Sequence, residues 1–317
     1  MAPDLILLGQ ATIDHVVPAQ PGAWRAQLGG NALYAAAGAR LWLDPARIGV
    51  ATRRGRGFPW DLGRLLENAG IGHRAIVEVE AEHLIEWILY EEDGNRRSLP
   101  RNVDLRRAGG EGSGASEAYL ARLEALSPSV ADLPAAWLSA RAAHLAPQVA
   151  DRHRAAVAAL GPRVSFLSVD PSPHYSAALS AEEIGRLLAG ATALLPSEQE
   201  VGHLIGPDGD GAKAAADLRA AGFPEVVIKR GKVGALVAWA AEQPVQIPAL
   251  TIEARDPTGA GDSFCGAYAA CRLLEMTPPE AARRATVAAA MVVACAGAEA
   301  ALALAPEAAA RRLGDAA

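Results

Sequence analysis

The chain has 317 residues, 51% of them hydrophobic, and a formal net charge of −6. That length and apolar content suit one large α/β domain, or a domain with a small appendage, and the acidic balance gives no electrostatic reason for a nucleic-acid partner. Cys265, Cys271 and Cys295 lack metal-ligand spacing and form no secreted disulfide pattern. No apolar run reaches transmembrane length. The opening run Leu5–Leu8 is too short for a signal sequence, so a cytoplasmic protein without a membrane partner is expected.

Leu5 to Leu8, closed by Gly9, reads as a buried strand. Asp14 follows it, where open α/β sheets bind ligands; a solvated turn aspartate is the plainer reading of that residue alone. Gly29-Gly30-Asn31 precedes a small-residue helix from Ala32 to Leu43. Paired glycines there are a close-approach device for the backbone. Ile48 to Ala51 reads as a second core strand, followed by a basic stretch from Arg53 to Arg56. That stretch is either a surface loop or a source of an arginine pointing into a substrate cleft.

Asp61 to Ala69 reads as a helix with Gly70 as its C-cap. Ala75–Val79 and Leu84–Tyr90 read as strands, with a hairpin turn at Asp93-Gly94, and residues 108–116 read as a loop. Strands inserted between βα units imply a small second sheet, with Trp87 either in its core or offering a stacking face. His144 reads as a packed histidine, since no nucleophile pattern accompanies it. Val164 to Asp170 and Ala191 to Leu195 are further core strands, the first placing Asp170 at a strand C-terminus. Ser197 and Glu200, three apart, fit a capping box at a helix start. The stretch Gly206–Lys213 lacks the Gly-Lys pair of a phosphate-binding P-loop, because Ala212 stands there, and Asp208-Gly209-Asp210-Gly211 lacks EF-hand spacing. Val226 to Ala235 reads as strand, turn and strand, with Lys229 either a surface lysine or within reach of a phosphate.

The most informative run is Asp256-Pro257-Thr258-Gly259-Ala260-Gly261-Asp262-Ser263-Phe264, where a loop becomes an alanine-rich helix from about Ser263 to Glu275. Gly259 and Gly261 permit close backbone approach. The free N–H groups of a first helical turn, together with the helix dipole, make an anion site. A carboxylate beside an anion site is repulsive, so Asp262 needs a chemical reason to stand there. Taking a proton from a hydroxyl that attacks a phosphoryl group would supply it. An ordinary glycine turn with Asp262 as cap is the plainer alternative.

The run Asp256–Asp262 closely resembles the C-terminal signature of the ribokinase-like (PfkB-type) carbohydrate kinases, and Gly29-Gly30-Asn31 resembles their N-terminal one. The resemblance extends over nearly the whole chain. It implies a single α/β domain over 1–317, a three-layer ribokinase-like sandwich with a mostly parallel sheet, and a small β lid from about 10–28 and 73–104. It implies ATP- and Mg²⁺-dependent phosphorylation of a small polyhydroxylated substrate, a sugar in the first place with a nucleoside or inositol as the alternative, with Asp262 as base and Gly259, Ala260 and Gly261 as anion hole. Asp14, Gly29, Gly30 and Asn31 would bind substrate hydroxyls. Ser197, Lys229, Gly231 and Gly234 would hold the nucleotide, and Glu200 would serve Mg²⁺. The loops at Asp256 and Gly297 would bind a monovalent cation such as K⁺, the helix from Pro279 to Ala296 would flank adenine, and a homodimer through the lid is allowed.

The chain departs from that pattern in three places. Tyr34 stands where many members have a sugar-holding asparagine, which leaves nucleosides, inositols and other polyols open as substrates. Ser197 replaces an asparagine, and no Gly-Asp-Asp-like turn follows the second strand. A catalytically silent ligand-binding protein is the reading from another class. A nicotinamide dehydrogenase is disfavoured, since no Gly-x-Gly-x-x-Gly follows the first strand.

Overall fold

The computed structural model describes residues 2–17, 25–90, 96–97, 117–205, 209, 211–240 and 242–315. The hairpin turn at Asp93-Gly94, the loop at 108–116 and half of the P-loop-like stretch lie outside them. The strands are β1 Leu5–Leu8, β2 Thr12–Val17, β3 Arg25–Gly29, β4 Ile48–Gly55, β5 Gly72–Val79, β6 Ile85–Tyr90, β7 Arg96–Arg97, β8 Ala142–Leu145, β9 Phe166–Val169, β10 Ala193–Leu194, β11 Glu225–Lys229, β12 Ala235–Trp239 and β13 Val245–Ile247. The helices are α1 Asn31–Ala39, α2 Leu62–Asn68, α3 Glu117–Leu126, α4 Ala150–Leu160, α5 Pro173–Ser176, α6 Ala181–Leu187, α7 Glu198–Val201, α8 Ala212–Ala220, α9 Ala260–Leu273, α10 Pro278–Val293, α11 Gly297–Leu302 and α12 Pro306–Asp315.

Nine strands form one sheet in the order β13-β12-β11-β10-β9-β8-β1-β4-β5. All neighbours are parallel except β11–β12 and β12–β13. The inner strands read as unbroken buried runs because both faces of the sheet are covered. Successive side chains leave a strand on opposite faces. Accordingly Leu5 and Leu7 of β1 pack with α1, α9 and α10, while Ile6 and Leu8 pack with α4, α6 and α8. This is the expected three-layer α/β arrangement.

A second sheet has the order β3-β2-β6-β7. Along β2, Thr12, Asp14 and Val16 are buried and alternate with half-buried Ile13, His15 and Val17. Trp87 of β6 is buried, edge-on to His15 with ring centroids 4.4 Å apart, so it is core rather than an open stacking face. The expected lid segment from residue 73 is corrected at its start. Gly72–Val79 pairs parallel with β4 and extends the large sheet, so among the described residues the later part of the second sheet begins at Ile85.

Two helices meet backbone to backbone. A Cβ built on Gly38 of α1 would lie 2.7 Å from the Ser263 carbonyl carbon, and one on Gly266 of α9 would lie 2.7 Å from Ala35 Cα. Only glycine allows that approach. At its other end α9 is fixed by Glu225, which accepts from Tyr268 Oη at 2.7 Å and from Arg272 Nη2 at 2.6 Å.

The basic stretch is not a loop, because β4 runs on to Gly55. Arg53 makes a two-pronged pair with Asp132, at 2.7 and 3.0 Å, and donates to Ala125 O. Arg54 pairs with Glu78 and Arg56 with Glu80. Arg53 and Arg54 thus tie β4 to its neighbours, whereas Arg56, just past the strand, is exposed and lines a cavity with Glu82, His83 and Arg122.

Candidate active site

In open α/β sheets ligands bind beyond the strand C-termini where the strand order reverses. Here that point is beside β1, which has β4 on one side and β8 on the other. Asn31, the first residue of α1, bridges this crevice. Its Oδ1 accepts from the Gln10 N–H at 2.7 Å, and its Nδ2 donates to Gln10 Oε1 at 2.6 Å and to Pro147 O at 3.0 Å. Both amide hydrogens are therefore occupied. Asn31 is thus a strut that holds the loops after β1 and β8 together.

Asp14 and the glycine pair do converge. The Asp14 carboxylate lies over Gly29, where any Cβ would collide with it, and Thr12 Oγ1 donates to Asp14 Oδ1 at 2.6 Å. Gly30 has φ 116° and caps α1. A Cβ there would lie 2.7 Å from Ala11 Cα. Both glycines are thus set by close approach of other parts of the chain.

Gly259 takes φ 77°, a left-handed turn, and α9 starts at Ala260 with Asp262 in its first turn. The fourteen residues of this helix give its N-terminus a full dipole. The Tyr34 ring is buried and lies flat against Gly259, where a Cβ would enter the ring. The aromatic that replaces the sugar-holding asparagine therefore backs the anion loop itself and joins α1 to it.

Beneath the first turn of α9 lies a charged cluster. Lys229, at the end of β11, pairs with Asp170, which stands just past β9. Lys229 Nζ is 3.4 Å from Cys265 Sγ, and that thiol is 3.4 Å from Asp170 Oδ2. Asp170 Oδ1 is buried with no hydrogen-bond partner among the described residues. Burial would pull Lys229 down, but Asp170, Cys265 and Glu200 outweigh it and hold the ammonium above the ordinary lysine range. Burial raises Asp170, and the charges of Glu200 and Asp262 raise it further against the pull of Lys229. Burial likewise raises Glu200. Three carboxyl groups share one ammonium, a balance that favours an additional cation.

Ser197 and Glu200 form the capping box at the start of α7, with Glu200 Oε2 accepting from the Ser197 N–H at 2.5 Å. One carboxylate oxygen of Glu200 is thus engaged locally. Among the described residues no group of three or more acidic, His or Cys side chains is arranged to hold a metal ion alone. Mg²⁺ does not need such a cage, since it commonly takes one or two carboxylates and completes its shell with phosphates and water. The hard oxygens beside the anion loop fit that mode.

Gly231 and Gly234 take φ 52° and 105°. A Cβ on Gly234 would lie 2.6 Å from Ala249 N, whereas one on Gly231 would meet nothing within 4 Å. Gly234 is therefore required by the chain crossing behind it, and only Gly231 faces open space.

Asp256 is buried and accepts from Gln27 Nε2 at 2.8 Å and from the Thr258 N–H at 3.0 Å. A Cβ on Gly297 would sit 3.4 Å from both Gln27 Cβ and Leu28 O. The two loops implied for a monovalent cation are thus neighbours, joined by Gln27. Sequence reading missed Gln27, because only the pairing of β2 with β3 brings it there. His144 is buried as expected, with Nδ1 3.0 Å from Ser168 Oγ, a partner that is 24 residues away and carries no motif.

Comparison with known proteins gives these neighbours. The family described as pfkB family carbohydrate kinase matches residues 147–304. The bifunctional protein HldE of Caulobacter sp. is 34% identical over 111 residues, 33% of this chain and 23% of that protein, so the chain spans under a quarter of that relative's length in the match. The cytidine kinase of Thermococcus kodakarensis is 26% identical over 277 residues, 84% of this chain and 87% of that protein. The structure of a ribokinase II from E. coli in complex with ATP and Mg²⁺ superposes with a TM-score of 0.68 at 19% identity, covering 99% of this chain and 100% of that one. At that identity the likeness establishes the ribokinase fold.

Proposed function

We propose, for a chain whose residues 147–304 belong to the PfkB family of carbohydrate kinases, that it transfers the γ-phosphoryl group of ATP to a hydroxyl of a small polyhydroxylated molecule. The observation that carries this reading is the start of α9. A left-handed Gly259, a Gly261 N–H with no backbone partner among the described residues, and Asp262 in the same turn stand over a largely buried Lys229, while the Ala260 N–H donates to Pro257 O at 3.3 Å.

The anion loop would bind the transferring phosphoryl group, each N–H donor being worth about 2.7–4 kcal/mol in a transition state. Asp262 would take the proton of the attacking hydroxyl while the bond from the γ-phosphorus to the bridging oxygen breaks and ADP leaves. Phosphoryl transfer has a loose transition state, so the placement of Asp262 matters more than its basicity. Mg²⁺ would neutralise phosphate charge when bound, and Glu200 is the carboxylate proposed to serve it. Asp14, held over Gly29, would order the acceptor hydroxyls, while Asn31 would keep the crevice open to them. Gly231 and the loop around it would approach the nucleotide.

Within this chemistry a nucleoside is the favoured acceptor over a free pentose. Tyr34 offers no hydrogen-bonding carboxamide where one would hold a sugar, and the match to a cytidine kinase runs along most of both chains. The test is ATP turnover, with Mg²⁺, across a panel of nucleosides, sugars and inositols. Turnover on a nucleoside supports the reading, turnover on pentoses alone overturns the nucleoside preference, and ATP binding with no turnover on any acceptor supports a silent binding protein.

A further inference from the structure

We infer that Asp170 is a positioning residue which fixes the Lys229 ammonium under the first turn of α9, so that a charged lysine backs the phosphate-binding loop. The inference rests on the kinase reading above and adds a second residue to its anion site. It starts from an electrostatic oddity. The N-terminus of a helix carries partial positive charge, and a cation beside it is unfavourable unless carboxylates offset it, as Asp170 does here, or an anion is bound there. Yet Lys229 Nζ lies 3.7 Å from where a Cβ on Gly261 would stand, with only 12% of its side chain exposed.

A buried ion pair is weak evidence of a stability role, since desolvation offsets most of the attraction. The pair here is also incomplete. Asp170 Oδ2 accepts from both Lys229 and Cys265, whereas Oδ1 has no hydrogen-bond partner among the described residues although Asp170 is 2% exposed. Such an oxygen costs free energy. What the arrangement does provide is geometry. Asp170 follows β9 and Lys229 ends β11, the two strands that flank β10, so the rigid sheet sets where the flexible lysine arm ends. Cys265, in the second turn of α9, closes the triangle from the helix side. Neighbouring Arg230 is turned away, to Glu198 at 2.8 Å and Gln246 at 2.9 Å.

The experiment is a double-mutant cycle of Asp170→Asn and Lys229→Met, read by calorimetric binding of Mg·ATP with unfolding followed in parallel. Asp170→Asn should weaken Mg·ATP about tenfold when Lys229 is present and not at all when Met replaces it. Equal effects in the two backgrounds, or tighter binding in the presence of Lys229, would overturn the inference. Where an acceptor is turned over, kcat of Asp170→Asn should fall by about 10²-fold, the cost of roughly 1 Å of misplacement, with KM for the acceptor unchanged. Should Asp170→Asn not fold, Asp170→Glu keeps the charge and displaces the ammonium; it should lower kcat in the same way, and a wild-type kcat would refute the role. Binding is read without an acceptor, so a coupled pair in a chain that phosphorylates nothing would refute the kinase reading and leave the pairing intact.

Discussion

Replacing Gly266 by alanine perturbs the site through the fold alone, because Gly266 touches no proposed ligand. Its new Cβ would overlap Ala35 O and lie 2.5 Å from Ala35 C, against the 3.4 Å at which ordinary contact begins. The backbones of α1 and α9 must therefore part by at least about 0.9 Å, the difference between those distances, since backbone atoms cannot swing aside as a side chain can. Alanine gains about 1 kcal/mol over glycine in a helix interior. Overpacking against backbone costs about 3 kcal/mol, the upper end of its usual range, so a net loss of about 2 kcal/mol is expected. The second consequence is catalytic. α1 begins directly after Gly29-Gly30 and α9 directly after Gly259, so parting the helices parts the two halves of the site. A shift approaching 1 Å costs up to about 10²-fold in rate, and kcat should fall by about tenfold or more. Chemical denaturation and steady-state kinetics test both arms. Gly63→Ala in α2 is the control, because its Cβ would meet Asp61 Oδ1 at 3.4 Å and His73 at 3.8 Å, and it should be neutral or gain up to about 1 kcal/mol. A Gly266→Ala protein as stable as the wild type would refute the close-packing argument.

Three further outcomes follow from the same geometry. Asp14→Ala should weaken acceptor binding by about tenfold or more while leaving Mg·ATP binding nearly unchanged, which calorimetry with each ligand separates; equal losses for both would contradict the placement. Glu200→Gln should keep much of the capping box and raise the Mg²⁺ concentration needed for half-maximal rate, and an unchanged Mg²⁺ titration would reduce Glu200 to a helix cap. Burial holds His153 neutral, down to about 4. Its folded pKa is thus below the unfolded one, so its contribution is complete above about pH 6.5 and is lost as pH falls towards 4. His153→Gln should flatten the acid limb of the stability curve by up to about 1.36 kcal/mol per pH unit over that window, and an unchanged slope would show that the histidine is not the titrating group. The raised carboxyls Asp170 and Glu200 act with the opposite sign, so the comparison must be between variant and wild type.

Much of the architecture was legible because the local patterns were strong. The buried run at β1, the glycine pair before α1 and the loop-to-helix change at Gly259 each carry their conformational reason within a few residues. The capping box at Ser197 and Glu200 was readable for the same reason. What was not legible depends on contacts far apart in sequence. Nothing beside Asn31 in the chain announces that its amide bridges Gln10 and Pro147. Arg53 looks like a loop residue until β4 is seen to continue and Asp132 to meet it. Gly72–Val79 looks like lid until it pairs with β4. Tyr34 was noticed as a substitution, but nothing near it in the chain announces that its ring would back Gly259, more than two hundred residues on.

The central claim is that Asp262 is the base in a phosphoryl transfer organised by the start of α9. Asp262→Asn keeps the size of the side chain and a group able to cap the helix, so the protein should fold. It cannot accept the proton. The measurement is the single-turnover rate of phosphoryl transfer from ATP to the best acceptor of the panel, with folded Asp262→Asn compared with the wild type at saturating Mg·ATP. A fall of roughly 10²–10⁴-fold with ATP affinity unchanged or tighter is the result predicted; a rate near that of the wild type would contradict the mechanism.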